Sequence, residues 1–257
     1  MNFYERLTRR SRETDSVVCV GLDPHFGRMP VAEIAAHNLR VIEATAPYAA
    51  CYKPNFAFYE QYGIDGLRAL QETVAAVPGD IPVLGDVKRG DIGSTAAAYA
   101  RAAYEVWGFD AVTLHPYMGL ESVRPFLEYP DKGIFIVCRT SANEGATDLQ
   151  ESMLESGIRL YEAVANIATT WSPIIGLVVG ATAPAEIARV RALAPDAPLL
   201  IPGVGAQGGD AGAAIRAAGH RPGSLLVSSS RGIYYAEDPA AAAIELRDEL
   251  RRASARA

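Results

Sequence analysis

Eight short apolar runs, each followed by a segment with helical periodicity, constrain the fold of this chain more than any other feature. The runs are nearly continuous in aliphatic residues rather than alternating, which is typical of parallel strands covered on both faces. They are Val17–Asp23, Ala49–Asn55, Pro82–Lys88, Ala111–Tyr117, Gly133–Thr140, Ile174–Thr182, Pro198–Gly205 and Gly223–Arg231. Alanine-rich helical segments between them include Ala32–Ala46, Ile92–Trp107, Met153–Thr170 and Pro239–Arg252. Eight β-then-α units in 257 residues predict an α/β chain, a (β/α)8 TIM barrel that forms one domain over residues 1–257.

Two further features bear on this prediction. An open, doubly wound sheet would ordinarily carry G-x-G-x-x-G after the first strand, but the sequence there is Val20-Gly21-Leu22-Asp23-Pro24. The longest segment without clear periodicity is Ser141–Ser152, which follows the fifth strand and is rich in Gly, Asn, Asp and Ser. Because long loops in compact domains are usually functional, we interpret this segment as a lid over the site.

Composition excludes several classes of protein. The chain has 24 basic and 30 acidic residues, a net charge of −6, which argues against non-specific nucleic-acid binding. No apolar run approaches the roughly 20 residues needed to span a bilayer, and Met1–Arg12 lacks the apolar core of a signal peptide. The cysteines, Cys19, Cys51 and Cys138, lie in strand-like runs and are odd in number, which suits buried thiols in a reducing cytoplasm.

Charged residues stand at the ends of the first three predicted strands, where barrel enzymes carry their chemistry. Asp23 ends the first, Lys53 the second, and Asp86 and Lys88 the third, with Asp91 in the following loop. Asp86 and Lys88 are two residues apart, so they point to the same face of the strand. Burying charges is costly, so such a cluster favours catalysis over a purely structural ion-pair network. A fixed ammonium between carboxylates suits a reaction in which negative charge develops and is then protonated.

A second group of residues follows the seventh and eighth predicted strands. Gly203–Gly209 is glycine-rich, and Ser228-Ser229-Ser230-Arg231-Gly232 ends the eighth strand. Loops at these two positions form the common phosphate site of the barrel, and Arg231 can add a bidentate contact. The sequence therefore predicts a phosphate monoester as part of the ligand.

Three segments carry a resemblance to a known family. Gly85–Thr95 resembles the D-x-K-x-x-D-I signature of orotidine 5′-monophosphate decarboxylases. Lys53–Glu60 and Ser228–Tyr234 resemble the branch of that family found in mycobacteria and many other bacteria. The likeness runs from Asp23 to Arg231. It implies decarboxylation of a pyrimidine nucleotide to uridine monophosphate without a cofactor or metal, in a homodimer with shared sites.

The resemblance also implies roles for individual residues around the reacting carbon. Lys88 is expected to protonate C6 of the pyrimidine, and Asp86 to lie against the departing carboxylate. Lys53 is expected to hold the network and touch the ribose. Asp91 is expected to enter the site from the partner subunit, with Thr95 beside it at the ribose 2′-hydroxyl.

Further roles concern the rest of the nucleotide. Asp23 is expected to bind a ribose hydroxyl, and Ser141 to read the amide edge of the pyrimidine. Gln207 and Arg231 are expected to hold the phosphate.

Two alternatives remain at this stage. A Mg2+-dependent sugar-phosphate decarboxylase or aldolase of the same superfamily shares D-x-K-x-x-D, but it places a carboxylate where this chain has Lys53. A non-catalytic phosphate-binding barrel would tolerate loss of the charged cluster, which is complete here. No Cys or His residues have metal-ligand spacing in the sequence.

Overall fold

The described residues form one eight-stranded parallel sheet that curls into a nearly closed barrel, as the sequence predicts. The computed structural model describes residues 1–141, 144–205, 208–219 and 221–255. The strands are β1 (Val18–Gly21), β2 (Cys51–Lys53), β3 (Leu84–Arg89), β4 (Ala111–Leu114), β5 (Gly133–Arg139), β6 (Ile175–Val179), β7 (Leu199–Pro202) and β8 (Leu225–Ser229). Each lies within or beside one of the eight predicted runs. Most end two or three residues earlier than predicted, because the chain there turns out of the sheet.

The barrel is closed between β2 and β3 by isolated pairings instead of a continuous ladder. The continuous hydrogen-bonded ladder runs through all eight strands in the order β2-β1-β8-β7-β6-β5-β4-β3. Across the gap, the Tyr52 amide donates to the Pro82 carbonyl, and the Asp86 amide donates to the Pro54 carbonyl, each at 3.0 Å. These bonds hold β2 and β3 together.

Helices surround the sheet and cover its outer face. They are α1 (Phe3–Thr14), α2 (Ile34–Thr45), α3 (Ala57–Glu60), α4 (Gly63–Ala76), α5 (Gly93–Arg101), α6 (Leu120–Leu127), α7 (Glu144–Gln150), α8 (Leu160–Trp171), α9 (Pro184–Leu193), α10 (Ala211–Ala218), α11 (Arg231–Tyr234) and α12 (Pro239–Ser254). Asp238 accepts a hydrogen bond from the Ala241 amide and precedes Pro239, which explains where α12 begins. In the parts of the chain that the structure describes, no helix has the length and apolarity to cross a bilayer.

Helix α1 closes the amino-terminal end of the barrel. Its buried residues Phe3 and Leu7 pack against the inward-facing side chains of the strands. The Phe3 ring meets the Phe135 ring edge-on, with centroids 6.1 Å apart. The amino-terminal end of the barrel interior is therefore filled with apolar side chains, and the polar side chains lie at the carboxyl end.

Two predictions about the segment after β5 are wrong in detail. The aperiodic stretch Ser141–Ser152 contains α7, and the helix predicted over Met153–Thr170 begins only at Leu160. Residues 152–160 instead form a small hairpin in which the Leu160 amide donates to the Ser152 carbonyl. Gly157, with φ of 77°, makes the turn. A glycine at positive φ supports a tight turn and interrupts a helix, which overrides the alanine-rich periodicity that follows.

Candidate active site

The alternation of side chains along the strands builds the site at the carboxyl end of the barrel. Cys51, Leu84 and Ala111 face the apolar interior. Two residues further along the same strands, the inward positions are Lys53, Asp86 and Thr113. These polar residues line a cleft of about 460 Å³. The inward-facing residues thus change from apolar to polar along each of these strands, and the charged ones lie where the barrel opens.

Asp86 lies at the centre of the site and is held by four donors. Its Oδ1 accepts hydrogen bonds from Lys88 Nζ at 2.6 Å and Thr113 Oγ1 at 2.8 Å. Its Oδ2 accepts from Lys53 Nζ at 3.2 Å and Asn55 Nδ2 at 3.3 Å. A carboxylate with two partners on each oxygen has little freedom to rotate, so the positions of both ammonium groups are fixed with it.

The charges in this network stabilise one another. Burial alone would raise the pKa of Asp86, but the ammonium groups of Lys53 and Lys88 outweigh it and hold that pKa well below its usual range. Burial alone would lower the pKa of Lys53, but the carboxylates of Asp86 and Asp23 raise it above its usual range. Asp86 and Lys53 are therefore both ionised at neutral pH.

Lys88 differs from Lys53 in exposure and in backbone conformation. The Lys53 side chain is 6% exposed, whereas that of Lys88 is 42% exposed and reaches into the open part of the cleft. Lys88 has φ of 44°, in the left-handed region that lysine rarely adopts. The structure thus holds one lysine as a buried fixed charge and presents the other to a ligand.

Asp23 is joined to the network through the backbone of the neighbouring strand. It is 6% exposed and lies just beyond β1. Its Oδ1 accepts a hydrogen bond from the Asn55 amide at 2.9 Å. Asp23 also lines the cleft, on the side of Lys53.

The far side of the cleft contains the residues predicted to contact the phosphate and the base. Gly203, Ser230, Arg231 and Ser141 line it, and Arg231 begins α11. Gln207 lies outside the described residues.

The backbone that carries Ser141 is fixed from two directions. Gly180, at the end of β6, touches it so closely that a Cβ at Gly180 would collide with the Ser141 amide. Arg139 forms an ion pair with Glu151 at 2.8 Å, and the Thr140 amide donates to Gln150 Oε1 at 2.9 Å. The ends of the segment predicted to be a lid are therefore tied to each other.

Asp91 and Thr95 do not line the cleft of their own barrel. Asp91 lies in the turn after β3, where its Oδ1 accepts from the Ile92 amide at 2.8 Å. Thr95 is exposed in the first turn of α5, and Ile92 beside it is 53% exposed.

Several residues that line the cleft were not identified from the sequence. Asn55 and Thr113 bond directly to Asp86, while His25 and Phe58 form one wall, with ring centroids 4.5 Å apart. Strand alternation could have identified two of them. Asn55 lies two residues after Lys53, and Thr113 is a polar residue within the apolar run of β4. His25 lies in a loop and Phe58 in the four-residue helix α3, and both segments are too short to show a periodicity.

Among the residues that the structure describes, no group of three His, Cys, Asp or Glu side chains is arranged to hold a metal ion. The three cysteines are free and buried. The carboxylate, ammonium and guanidinium groups that line the cleft are those of Asp23, Asp86, Lys53, Lys88 and Arg231.

Fold and site together define a (β/α)8-barrel enzyme with a lysine–aspartate network, and comparison with known proteins agrees. A family model described as orotidine 5′-phosphate decarboxylase / HUMPS family matches residues 16–246. The chain belongs to this family. The orotidine 5′-phosphate decarboxylase of Halorubrum lacusprofundi is 51% identical over 250 residues, which cover 92% of this chain and 88% of the relative. That of Thermomicrobium roseum is 46% identical over 270 residues, covering 98% and 96%.

Solved structures show the same relationship. The OMP decarboxylase of Leishmania donovani superposes with a TM-score of 0.91 at 44% identity, and the match covers 99% of each chain. Leishmania donovani UMP synthase gives a TM-score of 0.93 at 46% identity, but this chain spans only 57% of it. The chain is therefore a lyase of the decarboxylase branch of its family.

Proposed function

We propose that this chain converts orotidine 5′-monophosphate to uridine 5′-monophosphate and CO2, the last step of de novo pyrimidine nucleotide synthesis, without a cofactor. The observation that carries the proposal is the Asp86 carboxylate held between two ammonium groups, of which that of Lys88 is the more exposed to the cleft. When the C6–carboxylate bond breaks, its electron pair remains on C6. Lys88 Nζ then gives C6 a proton, and Lys88 regains one from water.

The physical basis of the rate enhancement is a site organised before the substrate binds. The ring delocalises the C6 carbanion poorly, so stabilisation has to come from the surroundings. Lys88 places a positive charge beside C6, and its bond to Asp86 removes the need to reorganise during the reaction. Asp86 places a negative charge beside the substrate carboxylate, and this repulsion is relieved as CO2 leaves.

The remaining contacts orient the nucleotide. Asp23 and Lys53 bind ribose hydroxyls on one side of the cleft, and Ser141 reads the amide edge of the pyrimidine. Arg231, with Gln207, binds the phosphate at the loops after β7 and β8. Binding energy from the distant phosphate closes residues 144–152 over the ring and excludes water, which raises turnover in addition to affinity.

We also propose that two chains form a homodimer with shared active sites. Asp91 and Thr95 lie outside their own cleft, on an exposed turn and helix start that carries the exposed side chain of Ile92. In a two-fold dimer, this turn of one chain enters the cleft of the other, so each site receives Asp91 and Thr95 from the partner. All other contacts come from the chain that supplies Lys88.

The chain acts as one catalytic domain over residues 1–257 and works in the cytoplasm. Free, buried thiols at Cys19, Cys51 and Cys138 suit a reducing compartment. Its partners are a nucleotide and a second copy of itself, and no nucleic acid or membrane is involved.

The metal-dependent alternative is disfavoured by Lys53. A divalent cation beside Asp86 would have to displace the Lys53 ammonium, which is buried and 3.2 Å from Asp86 Oδ2. A divalent cation and the Lys53 ammonium beside the same carboxylate would repel each other. Lys53 therefore occupies the place that a metal ligand would need.

We expect turnover to be independent of divalent metal ions. After exhaustive treatment with EDTA and gel filtration, the loss of orotidine monophosphate, followed by ultraviolet absorbance, should proceed at the untreated rate. Adding Mg2+ back should leave that rate unchanged. A chelated enzyme that is inactive and is restored by Mg2+ would favour the sugar-phosphate alternative.

Arg231→Ala should lower kcat/KM for the nucleotide, because Arg231 contacts the phosphate and not the reacting carbon. Losing a charge-assisted contact to phosphate corresponds to a fall of roughly 10- to 150-fold in kcat/KM. The very slow reaction of the phosphate-free nucleoside should change little, because it makes no such contact. Arg28→Ala is a suitable control, since Arg28 stacks on Tyr235 outside the cleft lining. Equal losses on both substrates would contradict a phosphate role.

A further inference from the structure

Thr113 occupies an irregular point in the sheet. Between β3 and β4, Gly85 pairs with Val112 and Arg89 pairs with Leu114, so the register shifts in between. Asp86, Val87 and Lys88 therefore stand opposite a single residue of β4, which is Thr113. This is a β-bulge on β3, and it interrupts the ladder of hydrogen bonds at Asp86 and Lys88.

The Thr113 hydroxyl replaces the missing ladder bond. The Lys88 amide donates to Thr113 Oγ1 at 3.0 Å, in place of a backbone carbonyl. Thr113 Oγ1 in turn donates its proton to Asp86 Oδ1 at 2.8 Å. One buried hydroxyl, on a residue only 1% exposed, thus binds the backbone of Lys88 and the side chain of Asp86.

The backbone bond matters because the conformation of Lys88 is unfavourable. At φ of 44°, the Cβ of an L-residue crowds the following carbonyl, so a lysine adopts this conformation only when its surroundings enforce it. The same Asp86 Oδ1 also accepts from Lys88 Nζ at 2.6 Å. Lys88 is therefore held at two points. Thr113 binds its backbone amide, and Asp86, which Thr113 also binds, accepts from its ammonium group.

We propose that Thr113 is a positioning residue for the reaction: its hydroxyl holds Lys88 in the left-handed bulge and orients Asp86, so that the Lys88 ammonium is aligned with the reacting carbon. This inference rests on the proposed role of Lys88 in the decarboxylation. Thr113 itself takes no part in proton transfer. A displacement of the ammonium group by about 1 Å is enough to slow an oriented reaction by roughly 100-fold.

Thr113→Val is the central test, because valine has nearly the same shape but cannot accept or donate a hydrogen bond. We expect kcat to fall roughly 10- to 100-fold, while KM and the affinity for uridine monophosphate change less than about threefold. Thr113→Ser keeps the hydroxyl and should retain kcat within about threefold of the natural protein. The split between kcat and KM, and the rescue by serine, distinguish positioning from a structural role.

Thr73→Val provides a matched control. Thr73 is also 1% exposed, and its hydroxyl accepts from Asn38 and donates to the Ala69 carbonyl, outside the cleft. Its loss should lower the thermal midpoint of unfolding and leave kcat unchanged. If Thr113→Val does not fold, Thr113→Cys takes its place, because a thiol is a weak hydrogen-bonding group of similar size.

Unchanged kcat in a folded Thr113→Val protein would overturn the proposal. Equal losses in the valine and serine variants would also overturn it, because they would show that the methyl group and not the hydroxyl matters. Lys88→Ala is measured in the same series. If Lys88→Ala retained turnover, the proposed reaction mechanism itself would fail. If Lys88→Ala were inactive while Thr113→Val kept the natural kcat, only the proposed role of Thr113 would fail.

Discussion

Lys88→Ala should remove almost all turnover while the protein still binds nucleotide. Lys88 acts on charge that exists only in the transition state, so its loss affects kcat and leaves ground-state binding largely intact. Loss of a general acid and of a preorganised charge together predicts a fall of at least about 10⁴-fold. The measurement is turnover by ultraviolet absorbance beside the affinity for uridine monophosphate by calorimetry, which should change less than about tenfold.

Lys132→Ala is the matched control for this experiment. Lys132 also pairs with an aspartate, Asp110, at 3.8 Å and lies near the Tyr104 ring, but it does not line the cleft. Its removal should leave kcat within about twofold, as for substitutions away from the site. Near-normal turnover of Lys88→Ala, with the fold intact by circular dichroism, would exclude Lys88 as the acid.

Mixing two inactive variants should restore activity if the active sites are shared. Lys88→Ala and Asp91→Ala should each be nearly inactive as homodimers. In a mixed dimer, one site receives both lesions, while the other combines an intact Lys88 with an intact Asp91 from the partner. Random exchange in an equal mixture makes about half of the dimers mixed, so roughly a quarter of the natural activity should return.

The control for mixing uses two lesions that lie in the same barrel. Lys88 and Asp86 contact each other at 2.6 Å within one chain. A mixture of Lys88→Ala and Asp86→Ala should therefore regain nothing, because every site keeps one lesion. Subunit exchange is verified by mass spectrometry in both mixtures. No recovery with the Asp91 variant after verified exchange would mean that Asp91 serves its own barrel.

The arrangement of Asp91 explains why this experiment is informative. Asp91 is three residues after Lys88 in the chain, yet only Lys88 lines the cleft. Strand β3 ends at Arg89, and Asp91 Oδ1 accepts a hydrogen bond from the amide of Ile92, the residue before α5. Lys88 and Asp91 belong to one short motif, but only Lys88 faces the cleft of its own barrel.

Local sequence patterns were sufficient to predict the barrel. Strands buried on both faces have to be apolar throughout, so each of the eight runs is recognisable without its neighbours. The same logic located Lys53, Asp86 and Lys88, because charged residues at the ends of such runs point either into the barrel mouth or into an apolar layer, and the second is too costly. Resemblance to a family of decarboxylases supplied the roles.

Tertiary structure decided what depends on contacts between distant segments. The left-handed backbone of Lys88 and the bond from Thr113 to Asp86 have no local signature. Thr113 looks like one more β-branched residue in an apolar run, and only the shift in register opposite β3 gives its hydroxyl two partners. A strand's composition determines whether it is buried, whereas the atoms across from it determine which hydrogen bonds it makes.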